Sequence, residues 1–209
     1  MPAYFNISVQ FSRKDIYHNF MNDFYAAVEQ AGLLFRSGYY EETEKQIVQW
    51  NQQKIEQNFE LGFTEYCIDD YKQSCFNFGN YSEVRGFWLN HYPENGLFTY
   101  EIIIPESDVL TEEDSSVFRK EVAYELLELS KKIWKFKYVK VIQTGLEFHD
   151  EATAVTDIAK GKLPNILPFA IIEQKHTQFI DLKYYVNETI VQRNGILLCL
   201  PTLKVPLSL

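Results

Sequence analysis

Apolar residues recur along the chain with two different periods, and together these predict an opening strand followed by a helix. In the segment YFNISVQF, residues 4–11, every second residue is apolar: Phe5, Ile7, Val9 and Phe11. A period of two predicts a half-buried strand. Apolar residues then recur at steps of four and three, at Ile16, Phe20, Phe24, Val28 and Ala31. This stripe predicts an amphipathic helix that begins at a capping-box-like Ser12/Asp15 pair and ends at Gly32.

Two more segments carry helical patterns. The first predicts a helix from about Glu41 to Leu61, stopped by Gly62, with a patchy apolar face and a polar outer face rich in Gln and Asn. The second begins at TEED (111–114), whose acidic residues suit a helix start. Its stripe is Phe118, Val122, Leu126, Leu129 and Ile133, and lysines follow at its carboxyl end.

The remaining segments are typical of β structure. The predicted strands are CFNFG, EVRGFWLNHY, GLFTYEIII, YVKVIQTGLEF, LPFAIIEQ, IDLKYYV, ETIVQR and GILLCL, with turns at PENG (93–96) and at Asn194–Gly195 and a short helix in EATAVTDIAKG. Clusters of consecutive strands favour antiparallel pairing. We therefore predict an α+β fold, a mainly antiparallel sheet packed against a few amphipathic helices, in a single domain over residues 1–209.

Charge and composition narrow the classes of partner. The chain of 209 residues has a formal net charge of −9, which disfavours nucleic acid because phosphate binding depends on Lys and Arg. The basic segment KKIWKFKYVK (131–140) spans a helix end and an entering strand, so its charges need not form one patch. No apolar stretch reaches the ~20 residues of a membrane-spanning helix. The first residues do not resemble a signal peptide, and three cysteines without CxxC spacing indicate reduced thiols, so we predict a cytoplasmic protein.

The segment GLEFHDE places Glu147, His149 and Asp150 within four positions. A carboxylate beside an imidazole can orient it or share a metal ion, which would suit a metal-assisted hydrolase. The alternative is structural, because Asp150 can cap a helix that begins near Glu151. We favour the structural interpretation, since a zinc site needs about three protein ligands and no HExxH spacing or second local histidine is present.

A protein-binding surface is predicted from aromatic and acidic side chains. Trp88 and Tyr92 lie near the PENG turn, and such residues anchor many interfaces. The acidic residues Glu41, Glu42 and Glu44 could steer a basic partner to them. These five residues are the predicted partner contacts.

Familiar catalytic and nucleotide-binding patterns are not found in the sequence. It contains no GxSxG, GxxxxGK[ST] or GxGxxG motif, and we predict no cofactor and no resident metal. The acidic, aromatic-rich composition is similar to that of small immunity proteins that neutralise bacterial toxins, whose partners are often basic nucleases. We therefore predict a non-enzymatic protein-binding module, for which the expected role is that of an immunity-type inhibitor of a basic toxin or nuclease. The hydrolase using Glu147, His149 and Asp150 is the alternative, and the oligomeric state is left open.

Overall fold

Within the described residues, a single antiparallel sheet of nine strands forms the centre of the molecule. The computed structural model describes residues 3–57, 70–89, 95–112, 117–146 and 152–203. The strands are β1 (Tyr4–Ser12), β2 (Leu34–Gly38), β3 (Ser74–Asn77), β4 (Arg85–Leu89), β5 (Leu97–Pro105), β6 (Val141–Leu146), β7 (Phe169–Glu173), β8 (Val186–Ile190) and β9 (Gly195–Cys199). Their order across the sheet is β2-β3-β4-β5-β1-β6-β7-β9-β8. The predicted α+β class, with a mainly antiparallel sheet, is confirmed.

The first strand lies in the middle of this sheet. It pairs antiparallel with β5 on one side and with β6 on the other, so Ile7 lies opposite Ile102 and Thr144. The alternating residues Phe5, Ile7, Val9 and Phe11 all point to one face and are buried. The period of two read from the sequence therefore marks the most enclosed strand of the fold.

Helices cover the face of the sheet to which these residues point. The α-helices are α1 (Phe20–Ala31), α2 (Glu44–Glu56), α3 (Glu106–Val109), α4 (Lys120–Trp134) and α5 (Val155–Ile158). Helix α1 packs between α2 and α4. Its buried residues Phe20, Phe24 and Val28 lie against the central strands.

The interface between sheet and helices is mainly aromatic. The Phe11 ring lies 5.2 to 5.6 Å from the rings of Phe24, Phe98 and Trp88. Most pairs in this cluster meet edge to face, the arrangement that aromatic quadrupoles favour. Much of the aromatic surplus in the sequence is therefore core.

The opposite face of the sheet is covered by residues from 152 onward. Two buried glutamine side chains hold it there: Gln10 and Gln143 both donate to the Thr153 carbonyl, at 2.9 and 2.8 Å. The Gln143 carbonyl oxygen in turn accepts from the backbone N–H of Thr153 and Asn165. A second apolar cluster, which includes Ile158 and Ile172, fills the space beside them.

Candidate functional site

Two neighbouring tyrosines form an exposed aromatic pair that includes Tyr40, the most exposed aromatic side chain in the described part of the chain. Tyr39 and Tyr40 follow β2 directly, and their side chains are 48% and 77% exposed. Their rings meet edge to face, with centroids 5.1 Å apart. The guanidinium of Arg85 lies 5.5 Å from the Tyr39 ring centroid and supports the pair from the sheet side.

The backbone around the two tyrosines is closed by hydrogen bonds, and we call Gly38–Glu42 the tyrosine turn. The Gly38 N–H donates to the Glu42 carbonyl at 2.7 Å, and the Glu41 N–H donates to the Gly38 carbonyl at 3.2 Å. A side chain at Gly38 would collide with Glu42, whose Cβ and backbone N lie 2.8 Å from the position of an added Cβ. The turn is therefore compact because residue 38 is glycine.

The Glu42 carboxylate stabilises this turn through two contacts. One carboxylate oxygen accepts from the Tyr40 N–H at 2.9 Å, and the other lies 3.4 Å from the Lys72 ammonium. The Tyr39 N–H donates to the Gln73 carbonyl at 3.1 Å. Glu42 thus holds the turn in shape, while its neighbour Glu41 points outward and is exposed.

Glu41 has an unusual backbone conformation for a side chain of its type. Its φ angle is +65°, in the left-handed region that residues with a Cβ adopt at a cost of about 1–2 kcal/mol. Strained residues of this kind gather at functional sites, where the surrounding structure maintains them. Here the bonds from Gly38 and Glu42 impose the strain.

A groove of about 550 Å³ runs between α1 and α2, and its nearest approach in sequence to the tyrosine turn is Glu44. Glu29 and Glu44 line it together with Lys45, and we call it the acidic groove. Burial, and then the nearby Glu29 carboxylate, raise the pKa of Glu44. A cation placed between the two carboxylates would relieve this repulsion.

The predicted acidic contacts therefore have three different settings. Glu41 is exposed on the turn, Glu42 is paired with Lys72 beneath it, and Glu44 lies in the first turn of α2 facing the acidic groove. The structure brings all three together at one end of α2. Whether a partner binds them stays a prediction.

Trp88 lies away from the tyrosine turn. Its prediction as a partner contact requires an exposed side chain, and this side chain is buried. The side chain is 1% exposed, and its ring is 4.7 Å from the Tyr100 ring and 5.0 Å from the Phe24 ring. It lies on the face of the sheet that α1 covers, so it offers no exposed aromatic surface to a partner. The residue is part of the core.

The other predicted residues, Tyr92, Glu147, His149 and Asp150, lie outside the described ranges. Within those ranges, no group of three or more His, Cys, Asp or Glu side chains has the arrangement of a metal site. The search for a membrane helix covered the same ranges, and none of their helices combines the length and apolarity needed to cross a bilayer.

The tyrosine pair was not selected from the sequence, although a signal for it exists. Thr43 and Gln46 form a reciprocal capping box, with the Thr43 N–H donating to the Gln46 side chain at 2.8 Å. This T-x-x-Q pattern sets the start of α2 after Thr43 and leaves the tyrosines in a turn.

Comparison with known proteins gives a distant structural similarity. No protein family model matches the chain, and no curated protein matches its sequence. Among solved structures, the Pseudomonas aeruginosa T6SS protein PA0821 aligns over 94% of this chain with a TM-score of 0.42 and 8% sequence identity. The aligned region spans 65% of that chain.

Proposed function

We propose that this chain is a non-enzymatic, cytoplasmic binding protein whose tyrosine turn and adjoining carboxylates take a basic protein partner. Among such proteins, an immunity-type inhibitor of a basic toxin or nuclease fits best, because neutralisation requires only tight contact and no chemistry. The observation that carries the proposal is the pair Tyr39 and Tyr40, displayed on a closed turn beside exposed Glu41.

The fixed backbone of the turn favours binding. Tyrosine supplies a large contact area with few rotatable bonds, and truncation of such residues in an interface often costs 2 kcal/mol or more, as an order of magnitude. A turn that is already closed in the free protein loses little further entropy when it binds. The bonds from Gly38, Glu42 and Gln73 give the two tyrosines that advantage.

The charge around the turn selects the class of partner. Glu41, Glu44 and Glu29 lie at the same end of the helical layer, and the whole chain carries −9. Such a field accelerates association with a positively charged protein and repels acidic ones. Partner lysines or arginines would face Glu41 and enter the acidic groove between Glu29 and Glu44.

The thiols support the cytoplasmic location. Cys75 and Cys199 are free and buried within the described ranges. Burial raises the pKa of the Cys199 thiol to about 12, so it is unreactive at neutral pH. Free, inert thiols are usual in proteins of a reducing compartment.

The test begins with affinity capture from the host, using four baits in parallel. The wild-type chain is compared with Tyr40→Ala and Glu41→Gln, and the control is Tyr184→Ala, whose tyrosine is 65% exposed on a distant part of the surface. We expect the wild type and the control to recover the same basic protein. The purified partner should bind Tyr40→Ala at least about 30-fold more weakly, which corresponds to about 2 kcal/mol.

The immunity role also requires that the captured protein be toxic and that this chain neutralise it. It should be harmful when produced alone and harmless when produced with this chain, and Tyr40→Ala should protect less than Tyr184→Ala. Recovery of an acidic partner, or of a partner that binds all four baits equally, would contradict the proposal. A captured basic protein that is not toxic would keep the binding role and refute the immunity role.

A further inference from the structure

A second groove on the helical layer has the opposite charge. It lies between α1 and the carboxyl end of α4, has a volume of about 550 Å³, and is lined by Lys132, Lys135 and Lys137 with Tyr17 and Phe136. We call it the lysine groove. All three lysines are exposed.

The lysine charges are little compensated by the described residues. Lys132 donates a 3.5 Å hydrogen bond to the Ala31 carbonyl, and the Lys137 ammonium lies 4.6 Å from the Tyr138 ring centroid. Asp23 also lines the groove, where its oxygens accept from the Tyr17 hydroxyl at 2.6 Å and the Asn19 amide at 2.8 Å, and its single negative charge offsets only part of the charge of the three lysines. Lysines near the end of a helix complement its dipole, yet Lys137 lies beyond the end of α4. The groove therefore retains a local positive surplus on a chain of −9.

The two grooves lie on opposite flanks of α1. Its residues Asn22, Ala26 and Glu29 face α2 and the acidic groove, whereas Ala27 and Gln30 face the lysine groove. The tyrosine turn immediately precedes α2, so it belongs to the acidic flank. A copy therefore presents its turn and its lysine groove in different directions, and a contact between them requires two molecules.

We propose that the tyrosine turn of one copy binds in the lysine groove of a second copy. The two surfaces are chemically complementary. The Glu41 carboxylate would pair with an ammonium group of the groove, and the Tyr39 and Tyr40 rings would offer their faces to the others, as tyrosine does to Arg85 within the chain. The aromatic wall of Tyr17 and Phe136 would cover the rest of the exposed Tyr40 side chain.

The contact determines how further copies are added. Two different surfaces meet, so the contact is heterologous and continues to a third copy, forming open chains or a ring instead of a dimer that stops. The contact is small and rich in charge, so it should be weak and sensitive to salt. It does not rest on the identity of the proposed basic partner, although such a partner would compete with it for the turn.

Sedimentation velocity on the full chain tests the proposal without any other ligand. The weight-average mass should rise with concentration above the monomer value of 24.6 kDa. The rise should be seen at about 0.15 M salt, where a Debye length of about 8 Å screens the repulsion between two chains of −9 but leaves charges in direct contact paired. It should fall at about 1 M salt, where the Debye length is about 3 Å. Tyr184→Ala and Lys183→Ala, both on another part of the surface, should associate like the wild type.

Two variants and their mixture identify the contact. Tyr40→Ala/Glu41→Ala removes the turn surface, and Lys132→Ala/Lys135→Ala/Lys137→Ala removes the groove surface. Each should be monomeric alone, whereas an equimolar mixture should form a 1:1 dimer that grows no further, because only one intact turn and one intact groove remain per pair. Circular dichroism and thermal unfolding confirm that each variant is folded.

Three results would overturn the proposal. They are a wild type that stays monomeric at about 0.15 M salt up to millimolar concentration, a variant that still self-associates alone, and a mixture that stays monomeric. The capture experiment uses a different readout, so failure of self-association leaves the basic-partner proposal standing, and the reverse is also true.

Discussion

Glu101 is a buried acid on β5, in the centre of the sheet. It is 5% exposed, and one carboxyl oxygen accepts a 2.7 Å hydrogen bond from the Ser8 hydroxyl. Its other oxygen, Oε2, is buried without a hydrogen-bond partner in the described structure. Burial raises the pKa of Glu101 from 4.5 to about 7, and the hydrogen bond from Ser8 opposes the rise. The folded state therefore favours the protonated acid.

This raised pKa predicts a loss of stability as pH rises from about 4.5 to about 7. Below pH 4.5 the group is protonated in both the folded and unfolded states. Between the two pKa values the unfolded state has released its proton while the folded state still holds it, so the free energy of unfolding falls across this window and levels off above pH 7. The contribution lost is up to about 3 kcal/mol, from about 1.4 kcal/mol for each pKa unit. Glu101→Gln should reduce the dependence of the unfolding free energy on pH between about pH 5 and pH 8. At about pH 8 it should unfold at a higher urea concentration than the wild type.

Urea titrations at several pH values supply that measurement. The exposed acid Glu121 provides the matched control, since Glu121→Gln should retain the wild-type slope. If the unfolding free energy of Glu101→Gln depends on pH as strongly as that of the wild type, the buried carboxyl is not the source of the pH dependence.

At Glu41, backbone strain and partner contact can be separated by the choice of substitution. Glycine adopts a φ of +65° without a steric penalty, whereas valine, which is branched at Cβ, is a severe outlier there. We expect Glu41→Gly to unfold at the same or higher denaturant than the wild type. Glu41→Val should lose about 1–2 kcal/mol. Equal stability of the two variants in guanidinium titrations would contradict the role assigned to the strain.

At the scale of secondary-structure elements, Arg193 joins the end of α4 to the β8–β9 hairpin. Its guanidinium donates to the carbonyls of Trp134, Phe136 and Val139, at 2.6, 2.9 and 2.6 Å. It also lies 4.5 Å from the Trp134 ring centroid. Carbonyls at a helix end lack intrahelical partners, and a cation there complements the helix dipole. One side chain thus completes the end of α4.

Removal of this guanidinium should destabilise the whole fold. Arg193→Ala removes a donor from three carbonyls, of which, in the described structure, only that of Phe136 keeps another hydrogen bond, from the Val139 N–H at 3.1 Å, and we expect a loss of about 2–4 kcal/mol. Arg193→Lys should recover little of it, because one ammonium group cannot reproduce the planar fork of donors. Thermal and urea unfolding measure both variants, with the exposed Arg36→Ala as the control. A lysine variant as stable as the wild type would refute the requirement for the fork.

The helical and strand periods predicted most elements, and the errors have local causes. The apolar stripe placed α1 from about residue 16, but the chain is extended at Ile16 and the helix begins at Phe20. The apolar stripe of α4 was right, but its start at TEED was wrong, because Leu110 and Phe118 pair as a β-bridge and the helix begins at Lys120. The segment IDLKYYV opens as a 3-10 turn, since the Asp181 side chain accepts from the Lys183 N–H at 3.2 Å.

The candidate site was only partly accessible to prediction. Glu41, Glu42 and Glu44 followed from their charge, but which of them is exposed depends on Lys72, which is distant in sequence. Trp88 and Tyr40 look equally suited to an interface when read from composition. What separates them is that β4 lies next to β5 inside the sheet, while β2 forms its edge. Long-range pairing of this kind leaves no periodic signal in the sequence.

At the scale of the whole molecule, the sheet order predicts a gradient of local stability. Strand β1 is paired on both sides and buried on both faces, whereas β2 and β8 end the sheet within the described residues. Amide hydrogens of β1, β5 and β6 should therefore exchange only when the whole molecule unfolds, and those of β2 and β8 through local opening. We expect the terminal strands to exchange at least about 100-fold faster, a difference of about 3 kcal/mol in opening free energy.

Hydrogen exchange with peptide-level mass spectrometry measures this gradient, and it also bears on the tyrosine turn. The turn extends from β2 and is tied to β3 by the bond from the Tyr39 N–H to the Gln73 carbonyl. Its amides should thus exchange with those of β2, as one unit, and Gly38→Ala should accelerate both because a Cβ there forces Glu42 away. Protection of β2 equal to that of β1 would contradict the gradient. A turn that opens independently of β2 would contradict the rigid presentation of Tyr39 and Tyr40 on which their low entropic cost of binding depends.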